Sequence, residues 1–247
     1  MRTAFFAPIL ALLVPAWQSL ADIIPTAGVQ SSIAAVNVLN TTGDMLDGSY
    51  SLSAPDPLAS WSPTDQDLLR RIENSNGFAQ ARVQSSFAST ITFDRVSLET
   101  RAGSEAITSS PMGWGAQMSY SRTFHLSFQL DVPTEVTLSA QIARNNGGWG
   151  AEGRPISLSF GRDGDAPIFS LIYENDFQMP DQHFAETVMV LAPGTYTVLA
   201  DSDNQWGAGR GGQFGDQMLF DLRVVPSPAS AIAFMGGCLM TAGKRRR

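Results

Sequence analysis

The tripeptide Trp-Gly-Ala occurs at Trp114, Trp149 and Trp206, each time inside a glycine-rich stretch: PMGWGAQ, NNGGWGAEG and NQWGAGRGGQ. Indoles carried on loops stack on sugar rings through their apolar faces, while neighbouring Asn, Gln and Arg bond the hydroxyls. Collected at one end of a fold, the three stretches would make an aromatic platform for an extended glycan. Folded back, each Trp would instead plug an end of the core, with Gly permitting the tight loop. The second arrangement suits large aromatics better, because they are mostly buried.

Acidic residues offer two other chemistries. Asp163 and Asp165 in RDGD, and Asp201 and Asp203 in LADSDNQW, set hard oxygens close together, as Ca²⁺ prefers. The EF-hand spacing is not met, and Asx-turns explain the same residues. Glycoside hydrolysis needs a carboxylate pair about 5–10 Å apart across a cleft. YENDF (Glu174, Asp176) and the Asp201–Asp203 stretch are where such a pair would be sought. The two histidines, His125 and His183, come with no nucleophile elbow, and HExxH, Walker and GxGxxG patterns are absent.

These residues must be positioned by strands. In TFHLSFQLDV, Phe124, Leu126, Phe128, Leu130 and Val132 fall on one face, with His125, Ser127, Gln129 and Asp131 on the other. EVTLSAQIA, PISLSFG and QMLFDLRVV repeat the pattern, PIFSLIY (Pro167 to Tyr173) is more continuously apolar and reads as a strand buried on both sides, and Val83, Phe87, Ile91 and Phe93 are spaced as a strand upstream. Pro193-Gly194 reads as a type II turn that closes ETVMVLAPGTYTVLAD into a hairpin. Ser62, Pro63 and Asp65 supply the start of one short helix, whose Leu68, Leu69 and Ile72 face the core until Gly77. The stretch before it, from Asn40 to Trp61, reads as loop, and the opening after Asp22 as linker. Many short strands with Gly/Pro turns predict an all-β fold, a single β-sandwich or jelly-roll-like domain.

The two ends carry a different kind of information. Arg2, an apolar run and the small residues Ser19 to Ala21 are laid out as a signal peptide cut after Ala21, here expected as an N-terminal helix. Between the terminal segments 11 arginines face 23 acidic residues, a net charge of −12 with no lysine. So acidic a body repels phosphate backbones, which excludes nucleic acid as a partner. The only cysteine, Cys238, sits in the tail, so the body has neither disulfide nor thiol nucleophile. Residues Ala229 to Gly243 are uncharged, and 15 residues make a helix of about 22 Å, short of the roughly 30 Å hydrocarbon core. Lys244, Arg245, Arg246 and Arg247 then hold the cytoplasmic side by the positive-inside bias.

Val225-Pro226-Ser227-Pro228-Ala229, a short apolar segment and a basic terminus together resemble the C-terminal sorting signal of PEP-CTERM envelope proteins. Ser227 stands where that family usually has Glu. LAPGTYTVLA also resembles a turn of the β-rich bodies of such proteins. The resemblance implies recognition and cleavage by an exosortase-like enzyme, a transient transmembrane helix, and delivery to the cell envelope or the outside. The expected organisation is a signal peptide at 1–21, an extracellular sandwich at 22–225 and a sorting tail at 226–247. The expected function is a non-enzymatic surface or matrix component among exopolysaccharide, with no cofactor unless calcium. A carbohydrate-binding module using Trp114, Trp149 and Trp206 is one alternative; a polysaccharide hydrolase or lyase is another.

Overall fold

Alternation of inward and outward side chains runs much further along the chain than short strands would need. The computed structural model describes residues 22–109, 113–146, 153–173, 182–208 and 212–225. In it the chain forms twelve strands: β1 (Ile24–Leu39), β2 (Met45–Ser53), β3 (Gln66–Asn74), β4 (Gly77–Ile91), β5 (Arg95–Thr108) and β6 (Gly115–Leu130), followed by β7 (Thr134–Asn146), β8 (Gly153–Arg162), β9 (Phe169–Tyr173), β10 (Gln182–Leu191), β11 (Gly194–Ala208) and β12 (Gly212–Val224). Two six-stranded antiparallel sheets result, sheet A ordered β2-β1-β6-β11-β8-β9 and sheet B ordered β10-β7-β12-β5-β4-β3. Their inner faces close a β-sandwich around shared apolar clusters, and Ala21–Pro226 is one compact unit. The expected signal peptide and sorting tail lie outside the described residues.

The core divides in two. Phe124, Phe128, Leu158 and Phe160 of sheet A meet Leu138, Ile142, Phe220 and Leu222 of sheet B in the larger cluster. Phe160 stands at its aromatic centre, with ring centroids 6.2 Å from Phe128, 5.7 Å from Tyr196 and 5.8 Å from Phe220. The smaller cluster sets Val36 and Val38 against Ala79, Ala81 and Ala106. Side chains that small leave space between sheets, and Trp114 fills it at 4% exposure.

Several expectations need correction. The stretch expected as a helix is β3, paired along its length with β4 from Gln66↔Ser85 to Asn74↔Gly77. A spacing of four between Leu68 and Ile72 fits either period. Leu69, 45% exposed, breaks the helical face and keeps the alternating one. Pairing with β4 outweighs a capping signal of about 1 kcal/mol. The expected linker after Asp22 is β1, and the expected loop from Asn40 contains β2, with nine paired rungs between them. Residues 54–60 do remain loop, and Trp61 after them forms an isolated bridge to Ser89. Gln30 clamps the loop by donating to the carbonyls of Pro57 and Ala59 at 2.8 and 2.9 Å. Gly28 allows that approach, since a Cβ there would sit 2.7 Å from the Pro57 carbonyl oxygen. Phe93, expected at core spacing, is 61% exposed in the turn between β4 and β5.

The expected hairpin at Pro193-Gly194 is a corner instead. Strand β10 pairs with β7 in sheet B, whereas β11 pairs with β6 and β8 in sheet A. The same turn residues serve either purpose, and here burial decides: Leu191 and Tyr196 both enter the core, at 4% and 3% exposure. The Tyr196 hydroxyl donates back to the Ala192 carbonyl at 2.8 Å and fixes the corner.

Candidate functional site

Strand directions decide which loops meet. Trp114 precedes β6, Trp206 lies near the end of β11, and Ala116 stands opposite Ala208. Trp149 lies outside the described residues, between Asn146 of β7 and Gly153 of β8. Those flanking residues pair with Phe214 of β12 and Asn204 of β11. The topology therefore brings the Trp114 and Trp206 stretches to one end of the sandwich, the end at which β7 stops at Asn146 and β8 starts at Gly153. Trp114 itself does not serve an aromatic platform: its ring is buried among the small side chains of the second cluster. Its indole nitrogen has no partner among the described residues.

Beneath that end lies a buried polar cluster that bridges the sheets. Tyr120 and Arg122 point inward from β6, Ser202 and Asn204 from β11, and Asp216 from β12. The side chains of Arg122 and Asp216 form an ion pair at 0% exposure each. Asp216 Oδ2 accepts from Tyr120 Oη at 2.8 Å and from Ser202 Oγ at 2.5 Å. Arg122 Nη2 lies 3.2 Å from Ser202 Oγ, and Asn204 Nδ2 donates to Tyr120 Oη at 3.2 Å. Burial pushes the Tyr120 phenol up to about 12 and Arg122 down to about 10, so Tyr120 stays neutral and Arg122 charged at neutral pH. Arg144 of β7 lies beside them, its guanidinium 5.2 Å from the Tyr173 ring centroid, and burial lowers its pKa.

Chemically this is a cross-link. Ser202 Oγ faces a carboxylate rather than an imidazole, since His125 and His183 sit on the outer faces of opposite sheets. The cluster ties β6 and β11 to β12 and fixes how the sheets align. Periodicity had marked its members. Counting back by twos from Phe124 reaches Arg122 and Tyr120, and from Met218 it reaches Asp216. Polar residues at inward positions were the available signal.

The acidic candidates are dispersed. Asp201 and Asp203 lie on the outer face of sheet A, and Asp201 Oδ2 is 2.7 Å from His125 Nε2. Asp163 accepts from Thr197 Oγ1 at 2.8 Å, four strand residues or about 13 Å away from Asp201. Asp165 faces Arg162 at 3.8 Å. The structure thus does not join the two aspartate pairs into one donor set. Among the described residues no group of three His, Cys, Asp or Glu is placed to hold a metal. Glu174 and Asp176 lie outside the described residues.

Hydrogen bonding to Asp201 raises the His125 pKa above its ordinary 6.5, against a smaller opposing effect of burial. A raised imidazole pKa favours the folded state fully below pH 6.5, and that contribution fades as pH rises through the folded value. Asp201→Asn is expected to lower the His125 titration midpoint followed by NMR. It should also flatten the stability profile above about pH 6, by less than ~1 kcal/mol, because both groups are partly exposed.

No family model matches the chain, and no curated protein matches it. Among solved structures, a chain from the structure of infectious bursal disease virus Gt strain is similar at 8% identity, over 84% of this chain and 81% of that one. The TM-score of that pair is 0.17, too low to carry an argument about fold or function.

Proposed function

We propose that the protein is an exported, non-enzymatic component of the cell surface or extracellular matrix, sorted by an exosortase-like enzyme and associated with exopolysaccharide or biofilm. Its body is a jelly-roll-like sandwich delivered between a cleaved signal peptide and a PEP-CTERM-type tail. The observation that carries the reading is the order of the tail: Pro226-Ser227-Pro228, an uncharged run too short for a lasting anchor, and Lys244 to Arg247.

The ends of the body fit that reading. Val225 is held by a hydrogen bond from its nitrogen to the Glu135 carbonyl at 2.8 Å, directly before the Pro-Ser-Pro stretch. At the other terminus Ile23 is buried and donates to the Phe93 carbonyl at 2.7 Å, so a chain starting at Asp22 keeps its first anchor. Both attachment points lie at the end of the sandwich opposite the Trp114 and Trp206 stretches. Cutting at either boundary removes none of the twelve strands among the described residues.

Intact-mass measurement of the native extracellular protein tests the proposal. The expected mass begins at Asp22 and ends near Val225. A mass that retains Arg247 overturns the sorting role and leaves a membrane-held or unprocessed protein.

A further inference from the structure

The outer face of sheet B carries a broad depression. This trough of about 600 Å³ crosses the face from β4 through β5, β12 and β7 to β10. Two adjacent rows of outward side chains line it. One runs Thr90, Ser97, Asp221, Ser139, following the pairings Thr90↔Ser97, Asp221↔Ser97 and Asp221↔Ser139. The other runs Ala88, Glu99, Leu219, Gln141, His183 through the corresponding pairs. Small side chains at Ala88, Ser97 and Ser139 deepen the floor. Arg95, Glu99, Gln141 and His183 supply longer polar groups around it. Four strand spacings of about 4.8 Å give a length near 19 Å.

We infer that this trough binds a stretch of neutral polysaccharide. Its shape is elongated and open, and its volume falls in the range of about 300–1,000 Å³ typical of ligand sites. The two rows offer hydroxyls, carboxylates, an amide and an imidazole at close intervals, which suits vicinal diols. Leu219 and Ala88 present apolar surface to ring C–H groups. The charges are balanced locally: Asp221 pairs with Arg95 at 2.7 Å and with Arg223 at 2.6 Å, and Glu99 with Arg101 at 3.0 Å. A polyanion gains little from a surface so balanced on a body of net charge −12. A peptide gains little too. The trough runs across the strands and reaches a sheet edge only at β10, so a peptide lying along it cannot pair as an added strand, and it has no deep apolar pocket for an anchor side chain. The inference rests on the exported, surface-associated reading, which sets the protein among polysaccharides.

Affinity electrophoresis of the full chain through gels containing neutral glucans, mannans or galactans tests it, with a polyuronate as a separate arm. Retardation by at least one neutral polymer and none by the polyuronate is expected. Ser139→Trp fills the floor from the solvent side and should abolish retardation; Gln141→Ala should weaken it about tenfold. Thermal melting of both variants reports whether they fold, and Gln141→Ala alone decides if Ser139→Trp does not. Equal retardation of native and folded variant protein, no retardation by any neutral polymer, or preference for the polyuronate overturns the inference. Tail processing is read separately by mass, so failure here leaves the sorting proposal standing, and the reverse.

Discussion

Asp216→Ala is expected to destabilise the protein by about 3–5 kcal/mol, because it leaves the Arg122 cation buried with no counter-charge. For a body of this size that lowers the melting temperature by roughly 6–20 °C. The Arg122 side chain has 0% exposure and cannot reach water without moving out from between the sheets. The same change also strips Tyr120 Oη and Ser202 Oγ of the acceptor they share. Calorimetry of Asp216→Ala beside the native protein provides the measurement. A shift below about 2 °C would mean that the pair does not bridge the sheets.

The converse variant has a different pH signature. Arg122→Met leaves the Asp216 carboxyl buried without its cation, and burial drives such a group to hold its proton. Its folded pKa then exceeds its unfolded value, so the variant should be most stable in acid and weaken as pH rises. Replacing both residues by apolar ones of similar volume, Arg122→Met with Asp216→Leu, should restore much of the loss, since desolvation costs for both ions disappear together. A cycle of the single and double variants separates pair energy from packing.

How much of this was legible beforehand varies with the physics involved. The alternation in TFHLSFQLDV and QMLFDLRVV placed Phe124 to Leu130 and Met218 to Val224 on their strands, because a half-buried strand writes its period directly into the sequence. The region from Asp22 to Gly77 misled for a related reason. Strand β2 alternates Tyr50 and Leu52 with exposed Ser49 and Ser51 only over a short span among turn-forming Ser, Asp and Gly, and β3 carries Leu68 and Ile72 at a spacing shared by helix and strand. Only pairing with β1 and β4 settles those segments, and pairing is not a local property. The corner at Pro193-Gly194 shows the same limit, since a turn does not state which sheet receives the next strand. The Arg122–Asp216 pair was encoded as two charges in phase with core residues. The trough on sheet B was not readable, because its rows join residues as distant as Thr90 and Asp221.

Trp114→Ala is expected to cost about 3–5 kcal/mol, as large aromatic truncations in a core do. Its ring is the filler between the Ala79, Ala81 and Ala106 surface of sheet B and the facing strands of sheet A. Trp114→Phe should cost much less. Phenylalanine keeps most of the volume and removes an indole N–H that has no acceptor among the described residues. Denaturant unfolding of the two variants gives the comparison, and a milder effect for Ala than for Phe would refute the filler role. The same pair of variants separates the two readings of the Trp-Gly-Ala stretches. If Trp114 only fills space, folded Trp114→Phe retains polysaccharide as the native protein does, whereas Gln141→Ala binds it about tenfold more weakly. Loss of retention in folded Trp114→Phe would move the binding surface from the sheet B trough to the loop end.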